Sequence, residues 1–317
     1  MAKEPVTTLT PPPKIKNPIL RELAKNWELY LLIVVPLVFL FLFSYLPMYG
    51  VQIAFRDYDI LKGPWDSPWV GLKHFKTFLN SPMLERVLSN TLRLSLYNLA
   101  MFPLPIILAI MLKYMPSKRF GKLVQTVSYI PHFISTVVMC GMVLQFLDQR
   151  YGVLTAMIAK LTGHRENWMA NQDAFPHILI WSHIWQNIGY SAITFIATLG
   201  GVSREQHEAA IVDGANIWKR IWHVDLPGIL PTVSVMFVMS CGSILTTDFE
   251  RILLLQNMLN ADVSETISTY VYNLSLGSDY PQYSYTTAIN LFATIINVIM
   301  LMLANKVTKK MNGSGMW

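Results

Sequence analysis

Long apolar runs set the pattern of this chain. Six of them, Leu29 to Met48, Thr91 to Leu112, Val124 to Leu147, Ala174 to Leu199, Gly228 to Thr247 and Tyr285 to Asn305, alternate with polar connections. At roughly 20 residues or more, each is long enough to cross a hydrocarbon core of about 30 Å as an α-helix. The pattern predicts an all-α polytopic membrane protein of six transmembrane helices, because a helix satisfies its own backbone hydrogen bonds in lipid. It divides the chain into a leader (1–28), a membrane domain (29–306) and a tail (307–317), with residues 203–227 as the most distinctive connection. The first run follows a basic, proline-containing leader (PPPKIKNPILRELAKNW), exceeds a signal core in length and ends in SYLPMYG without a small-x-small cleavage site. It is therefore expected to remain as an anchor. The first 15 or so residues, with Pro11 to Pro13, are expected to be disordered.

Composition supports the membrane reading. The chain is 53% hydrophobic and 14% charged, with a mean hydropathy of +0.37, whereas soluble domains carry about a quarter charged residues. Segments 1–28, 113–123, 200–227 and 306–317 hold fifteen basic residues in 79 positions, against nine in the 105 positions of the alternate loops. That bias places both termini and the 203–227 connection in the cytoplasm. The net charge of +6 mostly reflects those inward-facing residues and says nothing of an acidic substrate. On the opposite side, Arg56, Lys62, Lys73, Lys76 and Arg86 read first as a solvated face, with docking of an acidic protein or attraction of uronate chains as the alternative.

Several chemistries are excluded. The two cysteines, Cys140 and Cys241, each fall within a predicted span, which argues against a disulfide framework. The seven histidines form neither an HExxH pair nor a Cys/His cluster, so no metal site is expected. No GxxxxGK[ST] loop is present, and the chain should neither bind nor hydrolyse ATP by itself. Nor does it show a GxSxG elbow or a set of acids and bases at matched depth within the spans. Nothing points to nucleic acid.

Residues 208 to 227 read EAAIVDGANIWKRIWHVDLP. Gly200-Gly201 should end the fourth span, and Ser203 is a suitable N-cap for a short helix from Arg204. Ala209 and Ala210 leave room for a partner surface to approach closely. Asp213-Gly214 should break this helix, since glycine takes the left-handed conformation of a sharp reversal. A second helix is expected from Asn216, with Ile217, Trp218, Ile221 and Trp222 towards membrane or protein, Lys219 and Arg220 towards water, and Leu226-Pro227 as its stop.

The spacing adds more. Glu208-Ala209-Ala210, then Gly214, then Val224, Leu226 and Pro227 resemble the signature of permease subunits of binding-protein-dependent ABC importers, with Val224 in place of the commoner isoleucine. GLKHFKTFLNSPMLERVLSNTL, SYIPHFISTVVMCGMVLQFL, YGVLTAMIAKLTG and WQNIGYSAITFIATLGGVSREQHEAAIVDGA are similar to the sugar-permease branch, the maltose-type oligosaccharide importers. With NWELYLLIVVPLVFLFLFSYLPMYGVQIAFRDY, the chain most resembles the subgroup that imports alginate and rhamnogalacturonan fragments.

This resemblance implies a type I ABC importer permease fold in a bacterial plasma membrane. It also implies a second, homologous permease subunit, two ATPase subunits that carry ATP and Mg, and an extracellular binding protein that delivers an oligosaccharide, here an acidic, uronate-containing one as a candidate. Glu208 would contact the ATPase, Ala209 and Ala210 would pack against it, Gly214 would make the turn and Asp213 would brace it. Polar residues within spans tend to line cavities, and the fourth span carries Trp185, Gln186, Asn187, Gly189 and Tyr190. Similarity to maltose-type permeases singles out Trp185, Ile188, Gly189, Tyr190, Cys241, Leu245 and Asp248 as pathway candidates. Several of these replace asparagine or serine, so the sugar contacts do not transfer. Asn290 and Asn297, seven residues apart, read as interhelical hydrogen-bonders. A secondary transporter would instead show intramembrane carboxylates and internal repeats; a permease for another small solute is the nearer alternative.

Overall fold

The computed structural model describes Glu22, residues 25–313, and residues 315 and 316. The leader segment expected to be disordered lies outside the described residues. Those described are helical, with no strand beyond an isolated bridge between Arg56 and Trp69. The chain separates into two compact units, Met1–Gln52 and Ile53–Trp317.

In the first unit, α1 (Trp27–Leu40) runs through a π turn (Phe41–Tyr45) into a further α turn, Leu46–Met48, which a 3-10 helix (Tyr49–Phe55) continues. None of the residues from Trp27 to Met48 is buried. The π turn directly precedes Pro47. The Leu46 N–H bonds five residues back, to Phe41 O, and this wider turn lets the helix pass a residue that lacks a donor and crowds the carbonyl four back.

The second unit holds the remaining elements. Helix α2 (Lys73–Leu79) leads into α3 (Met83–Ala100), and α4 (Pro103–Lys113) follows after a break at Met101-Phe102. Pro103 takes the first position of α4, where its missing N–H costs nothing. The expected third span is not one helix. It is α5 (Lys118–Tyr129) with a 3-10 turn (Ile130–Phe133), then α6 (Thr136–Phe146), bent by 100°. Pro131 interrupts the bond ladder, Ile134 is extended, and Ser135 restarts the helix as its side chain accepts from the Val138 N–H.

After α7 (Val153–Thr162), the 27-residue α8 (Ala174–Gly200) matches the fourth predicted span closely. It packs against α4, α5 and the later α11. Its residues enter two of the three core clusters, Phe175 and Leu179 with Leu94 and Ile252, and Ala192, Phe195 and Leu199 with Ile106 and Ile229.

The segment α9 (Arg204–Val212), α10 (Ile217–Arg220), π turn Ile221–Asp225 and α11 (Leu226–Cys241) corrects one expectation. Leu226-Pro227 does not stop the second short helix. The Leu226 N–H bonds to Ile221 O across the π turn, repeating the device before Pro47, and the helix continues into the fifth span. Arg220 is also not turned fully to water, since its guanidinium lies over the Tyr114 ring, 5.5 Å from the centroid. Then α12 (Phe249–Leu255), α13 (Ala261–Ser264), α14 (Ile267–Ser275) and α15 (Tyr283–Asn312) complete the unit. Phe78, Val87, Leu245, Ile267 and Ile289 form the third cluster.

Among the described residues, four helices are long and apolar enough to cross a membrane, or five if the bent pair counts as one. The helix α8 is long enough, at about 40 Å, but is not among them, because it carries His177, Ser182, His183, Gln186 and Asn187.

Candidate functional site

Two places on this scaffold gather functional chemistry. The first is the 203–227 connection. Ser203 Oγ accepts from the Gln206 N–H, and the helix closes on Asp213, whose N–H reaches Ala209 O at 2.9 Å. Gly214 then takes φ +75°, so a side chain there would be strained. Asn216 Oδ1 caps α10 by accepting from the Lys219 N–H at 2.9 Å. Of the residues singled out, Glu208, Ala209 and Asp213 are exposed and Ala210 is half-buried. Ile211 and Val212 add exposed apolar surface, Val212 at 86%. Glu208 pairs with Arg204 one turn back at 3.1 Å, and the Asp213 carboxylate makes no hydrogen bond among the described residues. Leu226 is half-buried and Pro227 exposed.

Beneath this surface lies a cluster that sequence reasoning missed. Asp225 is fully buried. Its Oδ1 accepts from Lys113 Nζ at 2.5 Å and lies 3.1 Å from His207 Nε2, while Oδ2 accepts from the Tyr114 hydroxyl at 2.6 Å. Burial first, then the Asp225 hydrogen bond, pushes the Tyr114 hydroxyl well above its usual range. A usable signal was present. A carboxylate just before one span, a lysine closing another and a histidine in the linking helix are ionisable groups beside the membrane domain, and any of them that is buried there needs a partner.

The second place is a cavity of about 880 Å³ between α3, α8, α11 and the segment from Ser243 to Ile252. Its wall is mixed. Ser95, Asn98, Asn187, Ser191, Thr194, Ser240 and Thr247 supply hydroxyl and amide groups beside Leu94, Ile188 and Met239. A polar web stands behind it. Arg251, 1% exposed, donates through Nε to Asp248 Oδ2 at 2.8 Å, through Nη1 to Ser182 Oγ at 3.3 Å, and through Nη2 to Gln186 Oε1. His183 Nδ1 shares Asp248 Oδ2 at 3.0 Å. Gln186 Nε2 donates to Ile134 O, the carbonyl opened by the bend between α5 and α6. His132 Nδ1 meets Asn187 Oδ1 at 2.8 Å, and its ring stacks on Tyr190 at 3.8 Å.

Of the pathway candidates, Ile188, Tyr190 and Asp248 line the cavity. Trp185, Gly189, Cys241 and Leu245 lie off its wall. Helical geometry explains the split on α8, since Trp185 and Gly189 are each two residues from Asn187 and hence about 160° around the axis. Gly189 faces the backbone of α5, where a Cβ would stand 2.3 Å from the Ser128 carbonyl. Cys241 is buried, and so is Leu245, whose N–H donates to Asn297 Oδ1 at 2.8 Å. Asn297 also donates to Thr246 Oγ1, as an interhelical bonder should, but the Asn290 side chain is exposed and makes no such bond among the described residues. In the first loop, Arg56 is held by Trp65 O and Ser67 O, Lys62 by Asp59, Lys73 by Asp57, and Arg86 by Asp262 and Glu265. The hydrogen bond from Lys73 leads the causes that hold the Asp57 carboxyl below its usual range.

Residues 101–312 match the family described as binding-protein-dependent transport system inner membrane component. The chain belongs to this family. The match covers α4 to α15, and with them the Glu208–Pro227 signature and the cavity wall other than its α3 residues. Protein LplB of Bacillus subtilis is 39% identical over 296 residues, which cover 93% of this chain and 92% of LplB. The polygalacturonan/rhamnogalacturonan transport system permease protein YteP of the same organism is 37% identical over 94% of this chain and 93% of its own. Among solved structures, a chain of a bacterial alginate ABC transporter, in complex with an alginate pentasaccharide-bound periplasmic protein, superposes with a TM-score of 0.85. That chain is 33% identical, over 94% of this chain and all of its own length. The protein is thus an ABC importer permease of the sugar and oligosaccharide branch, with the type I permease fold and several membrane-crossing helices.

Proposed function

We propose that this permease forms half of a translocation pathway for an oligosaccharide, pairs with a homologous permease subunit and is driven by ATPase subunits docked on α9. An extracellular binding protein delivers the sugar. In this reading the chain crosses a bacterial plasma membrane six times, with both termini and the 203–227 connection in the cytoplasm. The bent α5–α6 pair counts as the third crossing and α8 as the fourth. The observation that carries the proposal is the exposed face of α9. Glu208, Ala209, Ile211, Val212 and the unpaired Asp213 form a presented surface of small, apolar and acidic groups, which suits docking in water. The hydroxyl and amide groups of the cavity suit a sugar, whose hydroxyls need donors and acceptors in a partly dry site. An acidic, uronate-containing substrate is the finer reading, supported by what YteP and the alginate transporter are named for.

The chain's own contribution is positional. ATP is bound and hydrolysed by the partners, and movement of their surfaces carries α9 with it. The spans then exchange between two states to the extent that contacts at α9 differ in free energy between them. Glu208→Lys reverses the charge of that surface and breaks the pair with Arg204, a contact worth only about 0.3–0.5 kcal/mol to the helix itself. Expected is an assembled complex that has lost most uptake; uptake and ATPase stimulation at the wild-type level would remove α9 from the docking role. The substrate class is tested by co-purifying the complex and measuring ATP hydrolysis with its binding protein and neutral or uronate-bearing oligosaccharides. Stimulation by an amino acid or a phosphorylated polyol, and by no sugar, would sink the carbohydrate reading.

A further inference from the structure

The helix α9 is tied to the spans through one side chain. Arg204 and Glu208 pair with each other, and among the described residues the side-chain hydrogen bonds and ion pairs that leave α9 all belong to His207. Its Nε2 lies 3.1 Å from Asp225 Oδ1 and 3.2 Å from Lys113 Nζ. An ammonium and an imidazole N–H are both donors, so with Nε2 protonated Asp225 Oδ1 is their shared acceptor. Lys113 Nζ also donates to Leu199 O at 3.1 Å, and the Tyr114 hydroxyl to Asp225 Oδ2. The Arg220 guanidinium closes the far side over the Tyr114 ring. The end of α4, the last turn of α8, α9 and the π turn that opens α11 thus meet around one pair, Lys113 and the fully buried Asp225 carboxylate.

We propose that Asp225 is a positioning residue for transport: with Lys113 and Tyr114 it forms a rigid knot, and His207 plugs α9 into that knot so that α4, α8 and α11 move with it as one body. This rests on the reading of α9 as the ATPase-docking helix. The physical reason is the cost of separation. Pulling α4 from α11 would leave a buried charge without its partner, which is strongly unfavourable in a low-dielectric surrounding, and pulling α8 or α9 away would take a hydrogen bond from that buried pair. The rest of α9 offers no comparable grip, since none of its residues is buried. Asp225 is the last residue of the π turn and directly precedes α11, so the receiving end of the knot is continuous with the fifth span. Close apolar packing supports the same joint, since a Cβ on Gly228 would lie 2.8 Å from Val202 Cγ2.

The test uses the whole transporter in proteoliposomes, with its ATPase subunits and binding protein, and reads sugar taken up per ATP hydrolysed. His207→Leu removes the plug without stranding a buried charge on α9. The complex is expected to assemble with its ATPase subunits in the wild-type ratio and to keep hydrolysing ATP, while uptake per ATP falls about tenfold. His207→Gln places an amide donor near the position of Nε2 and should recover most of that loss, which a bulk packing role would not predict. Asp225→Asn leaves Lys113 uncompensated and is expected to assemble poorly. The neutral double variant Lys113→Met/Asp225→Asn removes both charges and should recover assembly but not uptake per ATP. A merely structural role predicts that both recover together, and that result overturns the proposal. So does a wild-type ratio of uptake to hydrolysis in His207→Leu. Failure of the ATPase subunits to co-purify with the wild-type chain would instead overturn the docking reading, and this proposal with it.

Discussion

Arg251→Met is expected to destabilise the protein by about 3 kcal/mol, because it removes the buried positive member of a pair and leaves a half-buried carboxylate and two buried polar groups behind. The guanidinium serves Asp248, Ser182 and Gln186 at once, and Gln186 in turn holds Ile134 at the bend between α5 and α6. Methionine fills part of the volume but offers none of these donors. The loss should appear as a lower thermal midpoint of the detergent-purified complex and a smaller yield of intact assembly. Asp248→Asn in the same chain removes the stranded carboxylate while keeping a residue able to cap α12, whose Arg251 N–H Asp248 Oδ1 accepts at 3.4 Å. The double variant should therefore recover more than half of the loss. A single variant as stable as wild type would show that the web around Arg251 contributes nothing to holding α12 against α8.

Gly189→Ala is the second large effect, and its mechanism is steric. The added Cβ would stand 2.3 Å from both the carbon and the oxygen of the Ser128 carbonyl and 2.5 Å from Tyr129 N. These are backbone atoms, so no side-chain rotation relieves the overlap and α5 must move away from α8. Overpacking of this kind costs about 1–3 kcal/mol and occasionally more, and the expected cost lies at the upper end. Displacing α5 also pulls His132 from Asn187 and Tyr190, next to the cavity wall. A thermal midpoint measured beside Gly141→Ala isolates the cause. A Cβ at Gly141, on α6, meets nothing within 4 Å, so that variant should be neutral or slightly stabilised. Equal midpoints for the two variants would refute the close approach of α5 and α8.

Much of the scaffold was legible because its signals are local. Ser203 caps the helix it was expected to cap, the second short helix starts where it was expected, with Asn216 as its cap, and Gly214 adopts the left-handed conformation that its place after Asp213 required. Ala174 and Gly200 bound α8 within a residue of the apolar run. The third and fifth spans were less legible. Proline marks a missing donor, but whether the chain bends there, as at Pro131, or continues through a π turn, as at Pro227, depends on what neighbouring elements supply. Ile134 O is satisfied by Gln186 from another helix, 52 residues away, and no local rule anticipates that.

The amino-acid sequence by itself determined that this is a helical membrane protein, where its long apolar segments run, and which loop carries the coupling signature. Each follows from local composition, helix period or residue order. Only the tertiary structure decided which polar groups share a surface. Helical period places Asn187 and Gly189 on different faces of α8, but it does not say which face meets a cavity and which meets the backbone of α5. It also does not say which partners Asp225 will meet. The carboxylate gains its meaning from Lys113, Tyr114 and His207, brought together from distant segments, since in a buried place a charge persists only where the fold delivers its partners.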